Sequence, residues 1–261
     1  MNKMIRLDIN LLHLKYDETS FILYMNDVPL TPSVRKLIEL SDLAYDKDFI
    51  KSVDGMRVLY YMYRDVCHKE DKSIFESRKL RHDITFIPPF NIGKEYVKTS
   101  GHYHPNAVDE LSYPEIYEII SGKAHYILQR PQGKKIIDVL LLEAKKGDKI
   151  VIPPNYGHIT MNPSQELLVM ANIVSSQFQS LYEPIKEKGG GAYFELLGHE
   201  YVKNRNYRDL PEIRFHKAAE SAYFPQDKNL YSLFQQNPTL FDFLNFPEKT
   251  EEILPLNMDF R

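Results

Sequence analysis

The sequence predicts a mainly β protein whose central region closes into a barrel or jelly roll. An N-terminal α/β segment precedes that region, and a helical or irregular C-terminal extension follows it. Between Asp83 and Val174, short apolar runs rich in β-branched residues are separated by Pro, Gly and Asn. Gly122, Gly133 and Gly147 stand where tight turns would need them. No amphipathic helix of useful length fits there, and closing the sheet would remove its exposed edges.

Length and charge indicate one domain with appendages. The chain has 261 residues, of which 43% are hydrophobic, which is enough for one sizeable core. This fits one large domain better than two full ones. We therefore predict an N-terminal segment over residues 1–82, a barrel over 83–185 and an extension over 186–261. The net charge is -3, and without a basic excess no nucleic-acid partner is expected.

Cysteine usage and the N-terminus indicate the compartment. Cys67 is the only cysteine, so neither an intrachain disulfide nor a cysteine-based zinc cluster can form. Such usage suits the reducing cytosol. The apolar stretches near the N-terminus are short and interrupted by charge, unlike a signal peptide or a membrane span. The sequence thus predicts a cytoplasmic protein with no membrane partner.

The segments that flank the barrel contain mixed patterns. Thr31 to Leu43 has apolar residues near helical spacing and a Thr-Pro start, which predicts a helix. Val58 to Val66 is aromatic and β-branched, which predicts a strand, and the charge-rich stretch from Cys67 to Arg81 indicates a loop or hairpin. Near the C-terminus, Tyr231 to Leu244 predicts two short helices broken at Pro238.

Three histidines and a glutamate predict a metal site. His102 and His104 are two residues apart, so on a strand both imidazoles project from one face. Glu115 lies on the next predicted strand, and His158 follows a Pro-rich turn before a third strand. Four such ligands leave two positions of an octahedron open, which is typical of a catalytic metal rather than a structural one.

The residue types leave the metal and one ligand open. Imidazole suits Zn, Fe, Ni and Cu, and an added carboxylate widens the choice to Mn. Glu110 and Glu118 are alternatives to Glu115, although Glu118 should face the opposite side of the strand from Glu115. The remaining histidines lack such a context and are interpreted as surface or core residues: His13, His68, His82, His125, His199 and His216.

The two stretches resemble the paired motifs of the cupin superfamily, whose fold is a double-stranded β-helix, a jelly-roll barrel. The first motif reads His-x-His, then Glu115, six residues and Gly122; the second contains Gly147, Pro153, His158 and Asn162. Two features depart from the pattern. Ten residues separate His104 from Glu115, which implies a loop insertion, and Asn155 replaces the turn glycine, a residue type that tolerates positive φ.

A finer resemblance is to the cupin-type glucose-6-phosphate isomerases, known chiefly from archaea. The matching runs cover about residues 30 to 190 and are Val34-Arg35-x-Leu37, Tyr60-x-x-Tyr63, Thr85, Thr99-x-Gly101-His102-x-His104, Glu115-x-Tyr117 and Pro153-Pro154 to His158 and Asn162. The family carries a further Tyr and His after the second motif. Val174 and Ser180 stand in those places here, so the preferred sugar phosphate stays open, with mannose 6-phosphate an alternative.

The resemblance implies a metal-dependent isomerase that interconverts glucose 6-phosphate and fructose 6-phosphate in glycolysis and gluconeogenesis. It implies one divalent ion per chain, with iron favoured over Mn, Ni, Zn and Co, and a homodimer. Glu115 is the implied proton shuttle between C1 and C2, and Tyr117 the implied orienting residue. Thr85, Thr99 and the Gly101 N–H, with Tyr60 nearby, are the expected phosphate and substrate contacts.

Two other functions fit the same site. One is an iron dioxygenase that uses the three histidines and the glutamate, and the other is a non-catalytic cupin that binds a sugar phosphate. The fold alone does not choose among these, since cupins host many chemistries. For an isomerase, the residues are compatible with either proton transfer or a hydride shift.

Overall fold

A computed structural model describes residues 3–7, 9, 12–218 and 221–254. Residues 1, 2, 8, 10 and 11 of the predicted N-terminal segment lie outside the described residues, as do 219–220 and 255–261 of the predicted extension. Among the helices that are described, none is both long and apolar enough to cross a membrane.

The N-terminal segment contains two groups of strands and two short α-helices. Four strands pair in chain order as an antiparallel sheet: β1 (Met4–Leu7), β2 (Leu14–Asp17), β3 (Leu23–Met25) and β4 (Val28–Pro29). The elements that follow are β5 (Ser33–Lys36), a 3₁₀ helix (Leu37–Leu40), α1 (Lys47–Ser52), β6 (Val58–Tyr63) and α2 (Lys72–Ser77).

Two predictions for this segment are wrong and one is confirmed. The helix expected from Thr31 is instead β5 followed by a single 3₁₀ turn, because Val34 pairs with Tyr61 of β6. Pairing with a neighbouring strand here overrides the local helical spacing. The charge-rich stretch from Cys67 to Arg81 contains α2, which buries Phe75, rather than only a loop or hairpin. The strand expected from Val58 is β6.

The central region consists of strands alone. They are β7 (Leu80–Ile87), β8 (Asn91–Ile92), β9 (Glu95–Lys98), β10 (Asn106–Val108), β11 (Leu111–Ser112), β12 (Glu115–Ser121), β13 (Lys123–Gln132), β14 (Lys135–Lys145), β15 (Lys149–Ile152), β16 (Gly157–Asn162) and β17 (Leu168–Ser175). Residues 83–174, all described, contain no helix, as the sequence predicts.

These strands form two sheets in jelly-roll order. One sheet contains β15-β12-β17-β7 and continues into β6 and β5. The other contains β9-β16-β13-β14 and continues into β18 (Tyr193–Leu196) and β19 (Glu200–Lys203) beyond β9, and into β20 (Arg214–Lys217) beyond β14. The four strands β15-β12-β17-β7 of one sheet and the four strands β9-β16-β13-β14 of the other together have the connectivity of two Greek keys. Gly122, Gly133 and Gly147 have φ of +80°, +59° and +91° in the turns after β12, β13 and β14. The predicted fold class, a mainly β jelly-roll barrel, is confirmed.

After the barrel, short elements alternate with irregular chain. They are α3 (Glu183–Lys186), β18 (Tyr193–Leu196), β19 (Glu200–Lys203), β20 (Arg214–Lys217), α4 (Leu230–Gln236), two 3₁₀ helices (Pro238–Leu244 and Pro247–Lys249) and α5 (Thr250–Ile253). The two short helices expected on either side of Pro238 are thus confirmed. The first is α4. The side chain of Asn229 caps its N-terminus by accepting a hydrogen bond from Ser232 N.

The extension covers the outer face of the sheet that carries Glu115. Ile116, Val169 and Phe86 point outward from that sheet and belong to one apolar cluster with Leu14 of β2 and Phe234 of α4. The Phe234 ring stacks on Phe75 with the centroids 4.1 Å apart. The N-terminal sheet and the C-terminal helices therefore bury the outside of this wall, while its inner face looks into the barrel. The domain boundaries proposed at residues 82 and 185 stay a prediction.

Candidate active site

Four side chains from three strands converge inside the barrel. His102 and His104 lie in extended chain beyond the end of β9, where His102 exchanges backbone hydrogen bonds of 3.2 and 3.0 Å with His158 of β16. Glu115 is the first residue of β12. Tyr103, between the two histidines, points the other way and meets Gln129. The predicted two-residue alternation thus directs both imidazoles to one face.

The potential ligand atoms lie at mutual distances that suit a single ion. Nε2 of His104 lies 3.2 Å from Nε2 of His102 and 3.4 Å from Oε2 of Glu115. Nε2 of His158 lies 3.5 Å from that same oxygen. Neighbouring ligands on an ion with bonds of ~2.1 Å are about 3.0–3.4 Å apart. The four residues therefore form a group that could hold a metal, as the sequence proposes.

Neighbouring groups fix the orientation of two of these side chains. Nδ1 of His104 forms a 2.8 Å hydrogen bond with the carbonyl of Tyr113, which turns Nε2 toward the other ligands. Asn172 of β17 donates from Nδ2 to Oε1 of Glu115 at 2.7 Å, which leaves Oε2 facing the pocket. Such outer contacts are the usual means by which proteins orient metal ligands.

One oxygen of the Glu115 carboxylate has no partner. Glu115 is buried, and within the described part of the chain its Oε2 accepts no hydrogen bond. An unpaired oxygen in a buried carboxylate is costly unless a cation approaches it. The point toward which the three Nε2 atoms converge is where such a cation would lie. The residues present therefore fit a divalent metal.

Burial sets the charge states that such a site requires. Burial lowers the pKa of His158 to about 4, against the opposing charge of Glu115. Burial also lowers the pKa of His102, with His158 and His104 adding to the effect. Burial by itself would raise the pKa of Glu115, but the neighbouring imidazoles of His104 and His158 bring this pKa below its ordinary value. Neutral imidazoles and an ionised carboxylate are the forms that bind metal ions.

The extra residues between His104 and Glu115 form a small hairpin, β10 and β11. This confirms the loop insertion inferred from the spacing. Ser112 at its end donates its N–H to Oδ1 of Asn155 at 2.9 Å and accepts from Asn155 N at 2.7 Å. Asn155 has a φ of +69°, which confirms the interpretation of this residue. The hairpin thus anchors the turn that precedes His158.

The four residues expected to contact substrate line the same pocket as the metal-ligating group, and each has a definite neighbour. The Tyr60 hydroxyl accepts from Ser100 N at 3.2 Å, and Thr99 Oγ1 accepts from Thr160 N at 3.0 Å. Gly101 has a φ of +72°, and a Cβ there would meet Ile159 at 2.4 Å. The backbone conformation and the packing therefore already require glycine at 101. The substrate contacts of Thr85, Thr99, Gly101 and Tyr60 stay a prediction.

The alternative carboxylates lie elsewhere. Glu118 faces the outside of β12, where its Oε2 accepts from Leu230 N at 2.7 Å, as its odd spacing from Glu115 predicts. Glu110 is exposed in the β10–β11 turn. Tyr117 faces inward, and its hydroxyl lies 3.2 Å from Nε2 of His158. Burial and the charge of Glu115 raise the pKa of Tyr117, so this hydroxyl keeps its proton.

Several residues that line the pocket are absent from the sequence-based set. They include Asn172, Arg64, Arg81 and Phe178. The sequence did contain a signal for Asn172, because it is the one polar residue between Leu168 and Val174. The sequence contained no such signal for Arg64 and Arg81, since charged residues near strand ends are common on protein surfaces.

A second histidine group lies outside the barrel. Oε1 of buried Glu195 accepts from His125 Nδ1 at 2.8 Å, from His199 Nδ1 at 2.9 Å and from the Tyr201 hydroxyl at 3.2 Å. We call this group the outer cluster, and His102, His104, Glu115 and His158 the inner cluster. The interpretation of these histidines as core or surface residues agrees with the structure, because His125 is buried and hydrogen-bonded and His199 is exposed. The sequence did not predict that the fold brings the two together at Glu195.

A jelly roll with three histidines and a glutamate converging inside it defines a cupin. Curated relatives support a narrower class. A glucose-6-phosphate isomerase from Thermococcus litoralis is 26% identical over 159 residues, which cover 60% of this chain and 76% of that protein. One from Thermococcus onnurineus is 29% identical over 157 residues, with the same coverage.

A family model described as glucose-6-phosphate isomerase matches residues 34–212. The chain therefore belongs to the glucose-6-phosphate isomerase family and is an isomerase. Among solved structures, the oxalate decarboxylase of Bacillus subtilis is similar at 20% identity and a TM-score of 0.33, over 47% of this chain and 27% of that one.

Proposed function

We propose that this isomerase interconverts glucose 6-phosphate and fructose 6-phosphate at the inner cluster with the help of a divalent metal. The observation that carries the proposal is the position of Glu115. Its Oε2 is buried, accepts no hydrogen bond from a described residue and faces a pocket lined by hydroxyls and imidazoles. An aldose–ketose isomerisation needs such a base beside the C1–C2 bond.

His102, His104, Glu115 and His158 would hold the ion, and iron is favoured over Mn, Ni, Zn or Co. When bound, the ion would supply a Lewis acid for the sugar oxygens at C1 and C2. The donor set of three imidazoles and one carboxylate is compatible with each of these metals.

Glu115 is proposed to move the proton between C1 and C2. Asn172 holds Oε1, so Oε2 is the oxygen that would serve both roles. It would hold the ion, and its remaining lone pair would take a proton from one carbon and return it to the other. The neighbouring imidazoles of His104 and His158 lower the pKa of this carboxylate, which favours its ionised form despite burial. A base that starts without its proton is what the first half of the exchange requires.

Hydroxyl groups are proposed to orient the sugar. The Tyr117 hydroxyl, which keeps its proton, can donate to a sugar oxygen near His158. Thr85, Thr99, Gly101 and Tyr60 line the neighbouring wall and would contact the rest of the substrate. Burial among apolar side chains such as Met62 and Met170 would exclude water from the reacting carbons.

The same proposal extends to the setting of the enzyme. We propose a cytoplasmic role in glycolysis and gluconeogenesis, and a homodimer. The buried and unpaired Cys67 supports the compartment. The homodimer rests on the resemblance to the family alone.

The test is a coupled assay of fructose 6-phosphate conversion. The protein is stripped with a chelator, and Fe, Mn, Ni, Co or Zn is added back separately. We expect turnover that depends on the metal and that is absent from the stripped protein. The order of the rates among the metals identifies the one that suits this site.

Three outcomes would contradict the proposal. Protein that binds a metal but converts neither fructose 6-phosphate nor mannose 6-phosphate would not be the proposed enzyme. Activity that instead requires O₂ and ferrous iron, with no phosphorylated substrate, would favour the dioxygenase. Binding of a sugar phosphate without turnover would favour a non-catalytic role.

A further inference from the structure

The two neighbouring histidines of the inner cluster are oriented in different ways. Nδ1 of His104 forms a 2.8 Å hydrogen bond with the carbonyl of Tyr113. Nδ1 of His102, by contrast, forms no hydrogen bond with a described residue. The direction of the His102 imidazole therefore depends on how the backbone around it is held. The next residue, Tyr103, is the one whose side chain leaves the opposite face of this extended segment.

The Tyr103 ring lies against the strand that supplies the third imidazole. A Cβ at Gly157 would lie 2.6 Å from Cε1 and Cζ of this ring, which leaves no room for a side chain at that position. Gly157 directly precedes His158 on β16. Tyr103 therefore separates two of the histidines and packs beside the third, all from the outer face of the sheet.

A buried amide holds the far end of the Tyr103 side chain. Gln129 of β13 is 1% exposed, and its Nε2 donates to the Tyr103 hydroxyl. Along β13, Leu128 pairs with the inward-facing His158, and Gln129 pairs with Gly157. The alternation of the strand therefore places Gln129 outside the barrel. Gln129 does not line the pocket of the inner cluster, so its route to the histidines runs through Tyr103.

The C-terminal extension sets the orientation of this amide. Oε1 of Gln129 accepts from Ala192 N at 2.7 Å, and Nε2 also donates to the Tyr207 hydroxyl at 3.3 Å. Because a backbone N–H can only donate, the atom that faces Ala192 must be the oxygen, and Nε2 must face Tyr103. Gly191 has no room for a side chain, since its Cβ would lie 2.4 Å from a neighbouring side chain and 3.3 Å from Oε1. The chain after three consecutive glycines thus closes on the amide.

We propose that Gln129 is a positioning residue for His102 and His104, which it orients through Tyr103. The inference rests on the proposed function, because it concerns two of the ligands assigned to the metal there. Side chains alternate along an extended segment, so an anchored Tyr103 prevents the segment from turning about its own axis. Outer contacts usually hold one metal ligand each, whereas Gln129 holds the residue between two of them.

The experiment measures cobalt binding to the stripped protein by competition with a chelator. It also records the visible absorption of the bound cobalt, which depends on the geometry of the ligands. The variants are Gln129→Leu, Tyr103→Phe and the double variant. Tyr103→Phe removes only the hydroxyl and keeps the ring on Gly157, so it provides the test even if Gln129→Leu does not fold.

Tyr193→Phe is the matched control. The Tyr193 hydroxyl also forms a hydrogen bond with the extension, donating to the carbonyl of Pro211 at 2.7 Å, but it has no hydrogen bond with Gln129 or Tyr103. This variant should keep the wild-type Kd for cobalt and the wild-type spectrum.

We expect Gln129→Leu and Tyr103→Phe each to raise the Kd for cobalt by about tenfold or more and to change the cobalt spectrum, as the loss of an outer contact usually does. The double variant should bind cobalt no more weakly than the weaker of the single variants, because both changes remove the same link. With saturating cobalt, the kcat for fructose 6-phosphate should fall in all three.

Two results would overturn the inference. A purely structural role for Gln129 would lower the unfolding temperature of the stripped variants while the Kd and the spectrum of cobalt stay at wild-type values. Losses of affinity that multiply in the double variant would show that Gln129 acts by a route other than Tyr103.

The inference and the proposed function fail in different ways. If the variants weaken cobalt binding but no form of the protein converts fructose 6-phosphate, the positioning role stands and the proposed function fails. If turnover depends on the metal and the variants bind cobalt as the wild type does, the proposed function stands and the inference fails. If the wild type binds no metal, both fail together.

Discussion

The inner and outer clusters share their chemistry but differ in the distance between the histidine nitrogens and the carboxylate oxygen that faces them. Each joins histidine nitrogens to a buried glutamate, and each is a geometric candidate for a metal. In the outer cluster, three donors lie within 2.8–3.2 Å of one oxygen of Glu195. In the inner cluster, the nearest imidazole nitrogens stand 3.4 and 3.5 Å from Oε2 of Glu115, which accepts no hydrogen bond from a described residue.

The difference shows that the types of the side chains and their closeness to one another do not by themselves define a metal site. Hydrogen bonds from two imidazoles and a tyrosine satisfy Oε1 of Glu195 without an ion, and they join β18 to β13 across the outside of the barrel. The other oxygen of Glu195, like Oε2 of Glu115, is buried and accepts no hydrogen bond from a described residue. The inner cluster keeps its nitrogens and its carboxylate oxygen apart by the distance that an ion between them requires. We therefore expect one ion per chain.

The largest expected effect comes from His158→Ala, which should abolish metal binding and isomerase activity together. Removing one of three imidazoles takes away a ligand, and activity should fall by about a thousandfold or more, as for the loss of a metal Lewis acid. The measurement is metal content per chain by elemental analysis, with circular dichroism to show that the barrel stays folded.

His199→Ala is the matched control for that comparison. His199 belongs to the outer cluster, so its loss should leave the metal content and the activity at wild-type levels. Two ions per chain in the wild type, one of them lost in His199→Ala, would break the distinction between the clusters. Full metal content in His158→Ala would refute the ligand assignment.

A smaller effect is expected from Asn172→Leu, which removes the donor to Oε1 of Glu115. Loss of such an outer contact lowers metal affinity by about 10–100-fold, because the ligand is no longer held in one orientation. Titration with a competing chelator measures this affinity. Asn206→Leu is the control, because Asn206 is exposed, and it should leave the metal affinity unchanged. If the metal affinities of the two variants are equal, Asn172 does not orient Glu115.

The smallest effect is expected from Glu195→Gln, and it should be confined to stability. The amide is a weaker acceptor than the carboxylate and presents a donor to two imidazole N–H groups, so the free energy of unfolding should fall by about 1–3 kcal/mol. Denaturant unfolding measures this change. A loss of kcat in the same variant would show that the outer cluster influences the reaction.

The sequence identified the inner cluster because its signals are local. The spacing of His102 and His104, the strand that begins at Glu115 and the Pro-rich turn before His158 each specify a direction for one side chain. Strand periodicity is a short-range property, so it survives without knowledge of the fold. The same holds for the turn glycines and for the positive φ of Asn155.

Only the tertiary structure decided which distant residues meet. The outer cluster joins His125 to Glu195 across 70 positions of the chain, and Asn172 reaches Glu115 across 57. Arg64 and Arg81 became pocket residues only when β6 paired with β7, and the segment from Thr31 became a strand only because β6 offered it an edge. Local patterns fix how a side chain points, whereas its neighbours depend on strand order, which is set by the burial of the whole core.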